Sequence, residues 1–127
     1  MDISNIEDIR SLVDRFYDKV REDKVIGPIF IGAIGDHWPA HLDKMYRFWQ
    51  TVLLEEHTYF GSPFAPHAQM PLEGRHFDAW LGHWSATVDE LFAGPRAEEA
   101  KWRAGKMAEM FLSKILYYRN NSARPIL

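Results

Sequence analysis

The chain has no cysteine, which excludes disulfides, thiolate metal sites and cysteine nucleophiles. It has no run of Lys and Arg that makes a basic stripe, and its formal net charge is −3. Nucleic acid and anionic membrane surfaces are therefore not expected partners. No apolar run approaches the roughly 18–20 residues that cross a bilayer. The opening Met1-Asp2-Ile3-Ser4-Asn5-Ile6-Glu7 lacks the basic and apolar blocks of a signal peptide. No serine lies in a Gly-x-Ser-x-Gly turn, so the strained nucleophile of a hydrolase is not expected. Repeats, low-complexity tracts and convincing strand patterns are also missing. A soluble cytoplasmic protein is the expectation.

What is present is an ordinary globular balance with a surplus of rings. The 127 residues suit one domain around one core, and 46% hydrophobic with 26% charged residues argues against disorder. Eight Phe, five Tyr and five Trp carry much area to bury. Either a well-packed bundle or the lining of a bound group accounts for them.

Periodicity gives four principal helices. Ser4 with Glu7 matches a capping box, after which Ile6, Ile9, Val13, Phe16, Tyr17 and Val20 recur at helical spacing. This helix is predicted to end near Lys24, where Gly27-Pro28 breaks the pattern; Ile29-Phe30-Ile31 then reads as a short apolar plug, followed by a loop at Gly32 and Gly35. A second helix spans about His37 to Glu55, with Pro39 in its first turn and a stripe of His41, Met45, Phe48, Trp49 and Val52. The stretch from His57 to Glu73 holds Gly61, Pro63, Pro66 and Pro71 among aromatics, a long connection of the kind that often serves function. The third helix runs from about Gly74 to Phe92 and the fourth from about Arg96 to Tyr118, leaving 119–127 as a frayed tail.

Three polar groups sit on or beside apolar stripes. His41 opens the stripe of the second helix, Tyr17 lies one turn after Val13 on the first, and Trp80 adds an indole N–H on the third. A buried polar group without a partner costs about 1–3 kcal/mol, so each needs one. The three would meet only around a shared ligand or buried water, which spacing alone does not establish. His37 and His41, four apart, also fit two ligands of a divalent metal, but without the intervening Glu of a zincin helix.

In order and spacing, several segments resemble the truncated haemoglobins, most closely their third group. They are Leu12-Val13-Asp14-Arg15-Phe16-Tyr17-Asp18-Lys19-Val20, Gly27-Pro28-Ile29-Phe30, Trp38-Pro39-Ala40-His41 with Phe48-Trp49, the proline-flanked His67, and Phe77-Asp78-Ala79-Trp80-Leu81. The resemblance covers residues from about 4 to 118. The glycine-pair motifs of the first truncated group are not evident. The resemblance implies an all-α, two-over-two helical sandwich holding haem b (iron protoporphyrin IX). It implies His67 as the proximal iron ligand, and Tyr17, His41 and Trp80 in the distal ligand pocket. Phe16, Phe30, Met45, Phe48 and Trp49 would line the porphyrin or that pocket. The rival proximal residue, His76, lies four before Trp80 and shares its helix face; if Trp80 faces the distal pocket, His76 does not reach the other side.

The implied function is binding of oxygen, nitric oxide and carbon monoxide at a histidine-ligated iron, in redox chemistry of oxygen, nitric oxide or peroxide. Nitric-oxide dioxygenase and peroxidase-like activities both stay open, as does a reductase partner. The alternative is a haem-free helical domain for ligand sensing or interaction, with Tyr17, His41 and Trp80 as satisfied core polar groups.

Overall fold

Asn5, rather than Ser4, caps the first helix. The computed structural model describes residues 1–64, 67 and 70–122, with side chains through residue 120. In it α1 spans Ile6–Glu22, and the Asn5 side chain accepts from the Asp8 N–H. Asp8 in turn reaches back to the Ser4 N–H and hydroxyl. The reciprocal logic of a capping box is kept, one residue later than its sequence signature.

The plug after Gly27-Pro28 is a helix, α2, spanning Gly27–Ile34. Pro28 sits in its first turn, where a missing N–H costs nothing. Gly27 is there for close approach, not for a turn: a Cβ on it would lie 2.9 Å from the Arg21 carbonyl oxygen. Asp23 secures the junction, one carboxylate oxygen accepting from the Val25 and Ile26 N–H groups and the other lying 2.6 Å from His83 Nε2.

The remaining helices are α3 (Trp38–Leu54), α4 (Gly74–Leu91) and α5 (Pro95–Ser122). Among the described residues there are thus five helices, where periodicity gave four, and no strand. Helix α5 runs through Ser122, past the end expected near Tyr118; 123–127 lie outside the described residues. So does Pro66, which directly precedes His67. The start of α5 is capped from a distance: the Asp2 carboxylate accepts from the Arg96 and Ala97 N–H groups, 2.9 Å each. Gly94 makes room, with φ +143° and a Cβ position only 2.6 Å from Asp2 Cγ.

Helix α1 packs on α2, α3 and α4, while α4 packs along α5 and α3 touches α5. The result is two layers, α1 with α3 over α4 with α5. Ile9, Leu12, Val13, Phe16 and Val20 of α1 meet Trp84 and Val88 of α4 and Ala97, Ala100 and Ala104 of α5. A second cluster joins Leu72, Phe77, Ala108, Phe111 and Ile115, with Trp80, Leu81 and Met107 packed against both. Among the described residues no helix is long and apolar enough to cross a membrane.

Candidate functional site

The stripe that buries α1 carries Tyr17 inward to 4% exposure. Its hydroxyl lies 2.8 Å from Nε2 of His41, in the first turn of α3. Burial pushes the phenol pKa up, with Arg21 opposing. Burial also takes His41 down to about 4, helped by His67 and Lys44, so the imidazole is neutral near pH 7. Two of the three polar groups singled out in the sequence therefore meet each other directly.

Trp80 stands apart from that bond. It packs edge-on against Phe16 at 5.8 Å and parallel to Trp84 at 6.4 Å. Trp84 spends its indole N–H on the Ala100 carbonyl, 3.0 Å away, whereas the Trp80 indole has no hydrogen-bond partner among the described residues.

All of these rings wall one cavity of about 860 Å³ between the two helical layers, within the range of small-molecule and cofactor pockets. Phe16 and Tyr17 come from α1, Phe30 from α2, and His41, Met45, Phe48 and Trp49 from α3. Trp80 comes from α4 and His67 from the connection before it. Every site residue read from the sequence thus reaches one wall or another. Sequence reasoning missed Phe77, Met107 and Phe111 as lining, together with Lys44 and Arg47. The three apolar residues were visible only as core periodicity, and nothing in the sequence distinguishes the two cations from other surface charges.

The two candidate proximal histidines differ in their free nitrogens. His67 lies in a 3-10 turn, its N–H bonded to the Phe64 carbonyl. Its ring Nδ1 is 2.7 Å from the Pro63 carbonyl oxygen. A carbonyl only accepts, so Nδ1 carries the hydrogen and a neutral ring has a bare Nε2. Burial lowers the His67 pKa, which favours that neutral form. His76 is wired the other way: its Nδ1 accepts the Glu73 N–H at 2.9 Å, closing the N-cap of α4. Its hydrogen is therefore on Nε2, and it has no bare nitrogen to offer. The His37 side chain is 84% exposed, and among the described residues no group of three or more His, Asp or Glu is placed to hold a metal ion.

The chemistry of this donor set suits haem. A flat apolar macrocycle needs aromatic walls, an imidazole with an available nitrogen, and cations for its two edge carboxylates. His67 leans on Phe111 of α5, with ring centroids 5.1 Å apart, while His41 is held by α1. The two imidazoles thus belong to different layers of the cavity wall.

Residues 2–113 match the family of bacterial-like globins, and the chain belongs to that family. Within it, the kinship is with the group III truncated haemoglobins. The chain is 33% identical over 118 residues to the group 3 truncated hemoglobin ctb of Campylobacter jejuni, covering 90% of this chain and 93% of that protein. A crystal structure of group III truncated hemoglobin from Campylobacter jejuni superposes with a TM-score of 0.82 at 32% identity, covering 91% of this chain and 94% of that one. The fold is accordingly the truncated-globin sandwich, and haem and diatomic gases are the cofactor and ligand classes that the family implies.

Proposed function

We propose that this protein binds haem b in the cavity through His67 and handles diatomic ligands in the pocket formed by Tyr17, His41 and Trp80. The observation that carries the reading is the His67 ring, tethered at Nδ1 by the Pro63 backbone and bare at Nε2 beside an aromatic cavity. Orienting a metal-ligating imidazole through its second nitrogen raises its basicity and fixes its plane. When bound, haem supplies an iron centre that takes oxygen, nitric oxide or carbon monoxide and exchanges electrons with them. Lys44 and Arg47 are the cations at the wall available to the haem carboxylates, Arg47 shared with Asp43 at 2.8 Å.

The chain's own task is to place hydrogens and exclude water. The Trp80 N–H, unspent among the described residues, would donate to a ligand that gains negative charge. Tyr17 does so conditionally. When His41 Nε2 carries the hydrogen it donates to the Tyr17 oxygen, and the Tyr17 O–H is free to point into the cavity. When Nε2 is bare it takes that hydrogen for itself. His41 is thereby a gate on Tyr17 and not an iron ligand. Two donors slow ligand release, which suits redox work on nitric oxide or peroxide with an external reductase better than oxygen carriage. A cytoplasmic, single-domain protein is part of the same proposal.

The test is a spectrum followed by two substitutions. Purified protein should show a Soret band that shifts on adding carbon monoxide. His67→Ala should weaken haem retention on the order of 100-fold, with partial rescue by free imidazole, while His76→Ala should keep haem. Loss in His76→Ala alone would move the proximal role to His76; absence of any haem uptake would restore the haem-free ligand-sensing or interaction domain.

A further inference from the structure

Helices α1 and α3 meet through a second contact, outside the cavity. Tyr17 and Arg21 are one turn apart on α1, and His41 and Trp38 one turn apart on α3, so each pair shares a helix face. The inner residues join by the hydrogen bond of Tyr17 and His41, 2.8 Å. The outer residues join by a stacked cation: the Arg21 guanidinium carbon lies 3.8 Å from the Trp38 ring centroid, well within cation–π range. Neither Arg21 nor Trp38 lines the cavity, and Arg21 has no ion pair or hydrogen bond from its side chain among the described residues. Trp38 also touches both inner rings edge-on, Tyr17 at 5.6 Å and His41 at 6.0 Å. Together the four side chains form a ladder of two rungs between the helices.

The ladder matters because of where α3 begins. Trp38 is its first residue, and the N-cap position, His37, makes no side-chain capping bond. An uncapped first turn frays, and His41 belongs to that turn. The Arg21–Trp38 rung ties the turn to α1 from outside, beside the Tyr17–His41 bond and the edge contact of Trp38 with Tyr17. We propose that Trp38, clamped by Arg21, is a positioning residue for His41, holding its imidazole on the Tyr17 hydroxyl and so setting how freely ligands and the Tyr17 hydrogen meet. This rests on reading the cavity as a ligand pocket. The charged and titratable groups that act on His41 are Tyr17 from α1, Lys44 from α3 and His67 from the connection; Arg21 acts on Tyr17 and stacks on the Trp38 indole.

The test uses haem-loaded protein with Arg21→Gln, Trp38→Leu, His41→Ala and the corresponding doubles. Carbon monoxide association is followed by flash photolysis, and the His41 ring protons by NMR. Arg21→Gln should shift association about 2- to 5-fold toward the His41→Ala value, and Trp38→Leu further. Adding His41→Ala to Trp38→Leu should then change little, as coupled residues are not additive. Arg21→Lys, which keeps a cation over the ring, should recover most of the wild-type rate. A merely structural role would lower the melting temperature while leaving association and the His41 signals as in wild type, and that result overturns the proposal. Full additivity of Trp38→Leu and His41→Ala overturns it too. If Trp38→Leu does not fold, Trp38→Phe and Arg21→Gln carry the same comparison at smaller amplitude. A protein that takes up no haem defeats the pocket reading instead, and the ladder is then decided by whether Arg21→Gln moves the His41 signals in the haem-free protein.

Discussion

Helices α1 and α3 are each 17 residues long, and each carries an unbroken stripe at helical spacing, yet they are buried differently. Helix α1 sinks six side chains: Ile9, Leu12, Val13 and Val20 are at 0%, Phe16 at 2% and Tyr17 at 4% exposure. Helix α3 buries only Trp49 and Leu53; His41, Met45, Phe48 and Val52 of its stripe stay half-exposed. The difference is in what lies opposite. Most of the α1 stripe meets α4 and α5 side chains and only its inner rings reach the cavity, whereas much of the α3 stripe meets the cavity. Periodicity tells which face of a helix is apolar and is silent on whether protein or a bound group covers it. An aromatic stripe left half-buried over a large cavity is the structural sign of the second case.

Truncating the two stripes is the strongest test of that contrast. Leu12→Ala removes a fully buried side chain from a packed region and should cost about 2–5 kcal/mol of stability. Met45→Ala removes similar bulk from the cavity wall and should cost about 1 kcal/mol or less in haem-free protein, while weakening haem retention. Urea unfolding measures the first quantity and haem transfer to a competing globin the second. Equal losses of stability at the two positions would erase the distinction.

A smaller effect separates the donors within the wall. Tyr17→Phe and Trp80→Phe each remove one hydrogen bond to a ligand that carries charge, worth roughly 1.5–3 kcal/mol, so oxygen dissociation should speed up about 10- to 100-fold in each. The double variant need not equal the product. Stopped-flow dissociation reads this directly. Fast wild-type release, unchanged in both variants, would put oxygen carriage ahead of redox work.

The contrast also marks how far the sequence was legible. The stripes of α1, α3, α4 and α5 could be read because amphipathic periodicity reflects burial against water. Helix α2 was hidden because Gly27-Pro28 has two meanings: a breaker within a helix, or a start with close backbone approach. Only the Arg21 carbonyl beneath Gly27 decides between them. Tyr17 and His41 stood out as polar groups on apolar faces, but their pairing across two helices is a tertiary fact with no local signal. For His67 the residues alone offered a histidine in a proline-rich connection; its place came from family resemblance, and its tautomer depends on the Pro63 carbonyl, which no side-chain pattern encodes. His76 closes the cap of α4 through an imidazole instead of the usual Glu or Gln, so its capping role did not match the familiar signature.

The smallest predicted effect is a pH dependence that the α3 wall has and the α1 stripe below Tyr17 lacks. His41 ordinarily titrates near 6.5 and is held down to about 4 in the fold, chiefly by burial. Between those values the unfolded chain binds a proton that the folded chain refuses, so stability falls as the pH is lowered through this window and is complete above it. A fully buried imidazole shifted this far would contribute several kcal/mol; His41 is only half-buried, and solvent screening reduces the expected change to about 1 kcal/mol. His67, also held down by burial, adds a slope of the same sign. The difference between wild type and His41→Gln isolates the term of interest, because Gln keeps a polar group near Tyr17 without a proton to gain. Haem-free protein unfolded in urea at pH 7, 6, 5 and 4 should lose more stability with acid than His41→Gln does. Parallel curves for the two proteins would mean that His41 is already open to water, and the α3 wall would then be less closed than its bond to Tyr17 indicates.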